Sequence, residues 1–284
     1  MPKWTTAQMP DMADKTVVVT GASRGLGLVA AREFAAASAH VVLAVRDVDR
    51  GASVAQGIPG SVEVRKLDVS DLSSVRDFAE AWRGPVDVLV NNAGVMDVPL
   101  IRTADGFDVQ TATNSFGPFL LTNLLLPAIT ERVVWVTSQL HRRGRVQLDD
   151  LDWTLRNYRP MAAYNDSKLH VVLFSLELQR RLQESGSALR SVLAHPGIAT
   201  TELAAHSPSN VINRFSFLLN DPQHGALPIL FAAVEDVPGN AYVGPDGVGG
   251  VKGYPMVRRP ARAGLDARMA GYLWTVVADK VRAA

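Results

Sequence analysis

The chain has 284 residues, 47% of them apolar and 20% charged, with a formal net charge of +1. That balance describes a globular protein and gives no reason to expect nucleic acid as a partner. With no cysteine, disulfides, thiol catalysis and cysteine-held metals are excluded, and the six histidines show no metal-ligand spacing.

Residues 1–14 read as an N-terminal arm without a long apolar stretch, so neither signal peptide nor membrane span is expected. Residues 16–20, Thr-Val-Val-Val-Thr, read as the first strand. A glycine-rich turn and a helix over 26–37 follow. Residues 41–45 form the second strand, with a helix from about Asp49. Residues 62–66 form the third, and the helix over 71–82 has Ser70 or Asp71 available as its N-cap. Residues 86–90, 133–137 and 191–194 supply the fourth to sixth strands, and 241–243 a short seventh. Residues 201–222 read as a polar cover over a site, 244–262 as a loop and 265–281 as a terminal helix. Strands apolar on both sides and separated by helices imply a parallel sheet covered on both faces. The expected fold is α/β: one domain, a Rossmann-type doubly wound parallel sheet of about seven strands with helices on both faces.

The turn Thr20-Gly21-Ala22-Ser23-Arg24-Gly25-Leu26-Gly27 follows a strand and opens a helix. Its glycines let the backbone approach a pyrophosphate, and the helix N-terminus offers unpaired N–H groups. A turn without ligand is the plain alternative. Further on, Tyr164 and Lys168 share one helix face at i and i+4, about 6 Å apart. A phenol with an ordinary pKa near ~10 is a poor acid–base group at neutral pH, and a fixed cation favours its ionised form. Taken singly, these and other candidates have structural readings: Ser138 ends a strand, Asn114 is a buried turn residue, Tyr164 and Lys168 are a helix-surface pair.

The spacing Gly-x-x-x-Gly-x-Gly resembles the short-chain dehydrogenase/reductase superfamily. So do Asp68-Val69 after the third strand, Asn91-Asn92-Ala93-Gly94 after the fourth, Pro196-Gly197 after the sixth and Thr201 beyond it. Asn114, Ser138, Tyr164 and Lys168 fall in the order of that superfamily's catalytic tetrad. The interval from Ser138 to Tyr164 is longer than in many members. With Asn114 to Thr122, His195-Pro196-Gly197 and Thr201-Glu202-Leu203, it resembles the retinol dehydrogenase-like branch, which includes the WW-domain oxidoreductases and protochlorophyllide reductases.

The resemblance implies hydride transfer between a nicotinamide and a hydrophobic carbonyl or alcohol. It implies Tyr164 as general acid and base, Lys168 as the group that lowers its pKa and binds the nicotinamide ribose, Ser138 as the anchor of the substrate oxygen, and Asn114 as the holder of a relay water. Cofactor contacts are implied for Gly21, Ser23, Arg24, Gly25, Leu26 and Gly27, for Asp68 and Val69 at the adenine, for Asn92, Ala93 and Gly94, for Pro196 and Gly197, and for Thr201 at the carboxamide. Val45 stands where NAD-binding chains carry an acid, and Arg46 follows it. Arg24 and Arg46 suit a 2′-phosphate, so NADP(H) is expected; NAD is the alternative, because Asp47 competes for Arg46. Two further readings stay open: a dinucleotide-binding regulatory or scaffold protein without turnover, and reduction of a C=C bond. The expected setting is cytoplasmic, with a small-molecule substrate and a homodimer or homotetramer paired through residues 116–129 and 161–184. Leu100, Leu140, Leu203, Phe215 and Phe217 are candidates for an apolar pocket. His195, Met96, Phe116 and Phe119 are read as packing residues.

Overall fold

The computed structural model describes residues 3–197 and 221–284. Thr201, Leu203, Phe215, Phe217 and nearly all of the expected cover lie outside the described residues. The valine-rich runs form β1 (Thr16–Thr20), β2 (His40–Val45), β3 (Val62–Lys66), β4 (Val86–Asn91), β5 (Ile129–Val136) and β6 (Arg190–Ala194). β7 (Tyr242–Pro245) and β8 (Pro255–Arg258) complete one sheet of order β3-β2-β1-β4-β5-β6-β7-β8. All neighbours are parallel except β7 and β8, which pair antiparallel through Val243↔Val257 and Gly244↔Met256. This eighth strand corrects the expected count of about seven: it lies inside the stretch read as loop. Its four residues are too few to display alternation, and Met256 and Val257 are both exposed at the sheet edge.

The period-two alternation of side chains splits the core into two layers. Val17, Val19, Val41 and Leu43 face α1 (Gly25–Ala36) and α7 (Pro222–Val234). Val18, Val42, Leu89 and Trp135 face the other way, toward α3 (Leu72–Glu80), α5 (Gly117–Leu125), α6 (Pro160–Glu184) and α8 (Ala267–Ala283). Each fully buried Val or Leu contributes about 1.5–3 kcal/mol, which is why the strands carry so few polar residues. α2 (Val48–Ala55) starts at an Asp47 cap and α3 at an Asp71 cap, whose carboxylate accepts from Ser73 N and Ser74 N. A short α4 (Val109–Thr111) runs into a π-helical turn (Ala112–Phe116) before α5. The N-terminal arm is pinned to the end of α7: Trp4 Nε1 donates to Glu235 Oε1 at 2.6 Å and the indole meets Phe231 edge-on.

β1 has β2 on one side and β4 on the other, so the chain crosses over in opposite directions from it. In open sheets of this kind the crevice at the carboxyl ends of such a strand pair is where ligands bind.

Candidate active site

A cleft of about 310 Å³ opens at this switch point. Its floor is the β1–α1 turn. Gly21 takes φ 67°, and a Cβ there would stand 3.0 Å from Ala93 Cα. Gly25 takes φ 57° with nothing within 4 Å of where its Cβ would stand, so the backbone faces open space. Arg24 is the N-cap of α1 without a side-chain cap, and the first turn of α1 has no acid. The helix N-terminus therefore keeps its positive end for an anion. Thr20 Oγ1 accepts from Asn92 N and Ala93 N, each at 3.0 Å, and Asn92 Nδ2 donates to Thr20 O at 2.8 Å. These bonds tie the turn after β1 to the turn after β4. Gly27 does not line the cleft; a Cβ there would run into Asn92 Nδ2 and Gly21 O.

Gly21, Ser23, Arg24, Gly25, Leu26, Arg46, Asp68, Val69, Asn92, Ala93, Gly94, Tyr164, Lys168 and Pro196 all line the cleft, so the structure brings together most of the cofactor positions read from the sequence. Gly197, at φ 77°, turns the chain after Pro196. Asp47 does not neutralise Arg46. Its carboxylate accepts from Arg50 N at 2.9 Å as the cap of α2, while Arg46 Nε lies 3.9 Å from Asp68 Oδ2. Arg50 also lines the cleft and was missed in the sequence. The signal was present: an arginine three residues after an N-cap Asp lies in the first turn, beside that cap.

At the other end of the cleft stand the four tetrad positions. Tyr164 and Lys168 project from the second and third turns of α6, buried against the ends of β4 and β5. Lys168 Nζ donates to Val136 O at 3.1 Å and lies 5.8 Å from the Tyr164 ring centroid. Ser138 follows β5 as the N-cap of a 3-10 turn (Gln139–Arg143), where its Oγ accepts from Leu140 N at 3.2 Å, and its hydroxyl lies near enough to the Tyr164 phenol to favour the ionised form. Asn114 sits in the π-helical turn. Its Oδ1 accepts from Val95 N at 2.8 Å, and its Nδ2 donates to Val95 O at 2.9 Å and Ser167 Oγ at 3.0 Å. Both of its N–H bonds are thus committed to backbone and Ser167. A Cβ on Gly94 would stand 3.1 Å from Asn114 Oδ1 and 3.5 Å from Lys168 Nζ, so only glycine leaves this corner open.

The expectation that Lys168 and the oxidised nicotinamide together lower the phenol pKa concerns the loaded site; among the protein's own groups burial sets the direction of both shifts. Burial pushes Tyr164 up to about 12, opposed by the Ser138 hydroxyl. Burial pushes Lys168 down to about 8. Desolvation dominates because both groups are buried, and the neighbouring ammonium does not reverse the direction at the phenol.

The long interval between Ser138 and Tyr164 is a folded loop. Asp150 accepts from Thr154 N, Leu155 N, Arg156 N and Arg156 Nε at 2.6–3.1 Å, and Arg156 also reaches Asp166 on α6 at 3.2 Å. The Arg156 guanidinium stacks on Trp153 at 3.7 Å. On the far side of Ser138, His195 Nδ1 accepts from Gln139 N at 3.2 Å and its Nε2 meets Gly250 O at 3.0 Å. It stacks on Tyr242 and holds the β5 end in register, in keeping with a packing role. Met96 is half-buried, and Phe116 and Phe119 are buried. Of the pocket candidates, Leu100 is exposed and Leu140 half-buried.

The residues fit a dinucleotide: an open glycine backbone and helix N-terminus at one end, arginines at the mouth, and a lysine with a hydroxyl pair at the other. Among the described residues no group of three metal-ligating side chains converges.

The family model for short chain dehydrogenases matches residues 15–211. Human retinol dehydrogenase 13 is 40% identical over 244 residues, covering 78% of this chain and 72% of that protein. The crystal structure of an uncharacterised protein from Mycobacterium Paratuberculosis is similar with TM-score 0.88 and 46% identity, covering 99% and 98% of the two chains. An NAD(P) dependent gluconate 5-dehydrogenase from Beutenbergia cavernae, described with bound NADP, is similar with TM-score 0.61 and 25% identity over 79% of this chain and 91% of that one.

Proposed function

The chain belongs to the short chain dehydrogenase family, and on that footing we propose that it moves hydride between NADP(H) and a hydrophobic alcohol or carbonyl compound. It is an oxidoreductase of the retinol dehydrogenase-like branch, acts on CH–OH groups and binds a nicotinamide dinucleotide.

A nicotinamide held in this cleft would supply hydride to the carbonyl carbon or accept it from the alcohol carbon. Tyr164 gives its proton to the carbonyl oxygen as the C=O π pair moves onto that oxygen; in the reverse direction its phenolate takes the hydroxyl proton. Ser138 holds the same oxygen. Tyr164 and Lys168 lining one cleft with the glycine turn carry this reading, and the Ser138 hydroxyl acts on the same phenol. A phenol at about 12 is protonated at neutral pH and ready as an acid. Lys168, at about 8, is largely charged there and supports the phenolate once the proton leaves. Asn114 is a positioning residue that fixes Gly94–Val95 and Ser167 around Lys168, the corner where a relay water is assigned. Lys168 would also hold the nicotinamide ribose.

NADP(H) is favoured over NAD by Arg24, Arg46 and Arg50 at the cleft mouth, by Val45 in place of an acid, and by the capping role that occupies Asp47. The NADP described with the Beutenbergia cavernae relative is in keeping with this choice. Assembly into a homodimer or homotetramer is assigned to α5 and α6, where Leu124 and Met161 are exposed.

Calorimetry with NADPH and NADH tests the cofactor: NADPH is expected to bind at least about tenfold more tightly. Equal affinities overturn the arginine argument. Turnover of hydrophobic aldehydes and ketones with NADPH is expected to vanish in Tyr164→Phe while NADPH binding persists. Full activity in that variant overturns the role of Tyr164.

A further inference from the structure

Several arginines elsewhere on the molecule are paired with acids: Arg156 with Asp150, Arg180 and Arg181 with Glu177, Arg190 with Asp236. Four exposed arginines near the site are different. Arg142 and Arg143 end the 3-10 turn that Ser138 caps, and Arg259 and Arg262 flank the segment after β8. None of the four makes an ion pair among the described residues, and neither 139–148 nor 247–265 contains an acid. With a formal net charge of only +1 for the whole chain, this is a local concentration and not a general excess.

The two segments are stitched together. Buried His141 meets Ser138 O through Nδ1 at 2.6 Å and accepts from Ala261 N through Nε2 at 3.0 Å. Arg142 donates to Arg259 O at 3.0 Å. The two arginine-bearing segments are therefore held side by side, and one imidazole joins them to the backbone of Ser138. Exposed Met256, Val257 and Leu265 lie on the same segment as Arg259 and Arg262.

We propose that this arginine face docks the protein on an anionic lipid surface. Unpaired cations interspersed with exposed aliphatic side chains suit anionic headgroups above an acyl layer, and the four arginines complement its charge. A nucleic-acid groove would offer the aliphatic groups nothing to enter. Docking in this way sets the Ser138 end of the site toward the lipid, where a hydrophobic substrate is dissolved. That last step rests on the substrate class proposed above; the docking itself does not. Crossing the membrane is not required, and no helix among the described residues is long and apolar enough to do so.

The test is co-sedimentation of the full chain with vesicles of phosphatidylcholine alone or mixed with phosphatidylglycerol. Binding is expected only to the anionic vesicles and weakens as salt is raised. Each arginine strengthens such binding roughly fivefold, so Arg142→Glu, Arg143→Glu, Arg259→Glu and Arg262→Glu together weaken it on the order of a hundredfold or more. The four Arg→Lys changes retain it; they also serve should the reversed variant fail to fold, since loss of binding there overturns a charge-based dock. NADPH turnover of a water-soluble aldehyde stays unchanged in both variants, which separates failure of the dock from failure of the proposed reaction. Equal sedimentation with neutral and anionic vesicles overturns the proposal. So does binding of duplex DNA without vesicle binding, or a change of oligomeric state in the reversed variant as the sole effect.

Discussion

Lys168 carries a cost that only its chemistry explains. Its fall from 10.5 to about 8 on burial corresponds to about 3 kcal/mol against folding. Because the folded pKa is the lower one, the unfolded chain holds more protons between those two values. Stability therefore rises with pH through that window, and the penalty is complete below pH about 8. Lys168→Met removes it. The variant is expected to lose turnover yet melt several degrees higher at pH 7, with the gap narrowing above pH about 10. Thermal scans at the two pH values check this, and a lower melting temperature at neutral pH would sink it. The Tyr164–Lys168 pair was legible in the sequence because i and i+4 share a helix face whatever surrounds them. The sign of their pKa shifts was not, because it depends on how deeply β4, β5 and the π-helical turn bury that face. Arg50 was legible only once Asp47 is taken as the cap of α2, which places it in the first turn beside the cleft.

The loop before α6 shows an element whose length was legible and whose structure was not. The spacing from Ser138 to Tyr164 marked an insertion, but nothing in the run of aspartates said that one of them would be caged. Asp150 is buried beneath three backbone N–H donors and the Arg156 guanidinium, and Arg156 ties that cage to Asp166 two residues beyond Tyr164. Asp150→Ala leaves Arg156 and several backbone N–H groups without their acceptor. It is expected to destabilise by about 3 kcal/mol, as removal of one partner of a buried pair does. Chemical denaturation measures that loss, and proteolysis is expected to cut first within residues 145–159. A change under about 0.5 kcal/mol would show that the cage is ornamental. β8 is the converse case. It was read as loop because proline and glycine surround it, and its pairing partner, β7, is set by tertiary placement rather than by local propensity.

Across the whole molecule the doubly wound topology was legible, since β1, β2, β4 and β5 announce themselves by valine-rich runs with helical patterns between most strands. The same burial that gives those strands their core also takes in histidines. His170 and His195 are both held down to about 3 by desolvation, and His141 is lowered too. In the unfolded chain they protonate near ~6.5, so the unfolded state gains protons first as pH falls. Stability is therefore full above that value and declines below it, by up to about 1.4 kcal/mol per pH unit for each buried ring. The urea midpoint is expected to be lower at pH 5 than at pH 7, and a His170→Asn, His195→Asn double variant is expected to flatten that slope. An unchanged slope would mean that other groups govern the acid limb. Strand order carries a consequence of another kind. β1, β2 and β3 are neighbours both along the chain and in the sheet, so that half can assemble as it leaves the ribosome. The bond from Thr20 Oγ1 to Val90 O spans 70 positions. Until that seam closes, the cleft has one lip. A nucleotide gripping both lips would act as a clasp across this long-range join, and the grip comes into being in the same event as the fold.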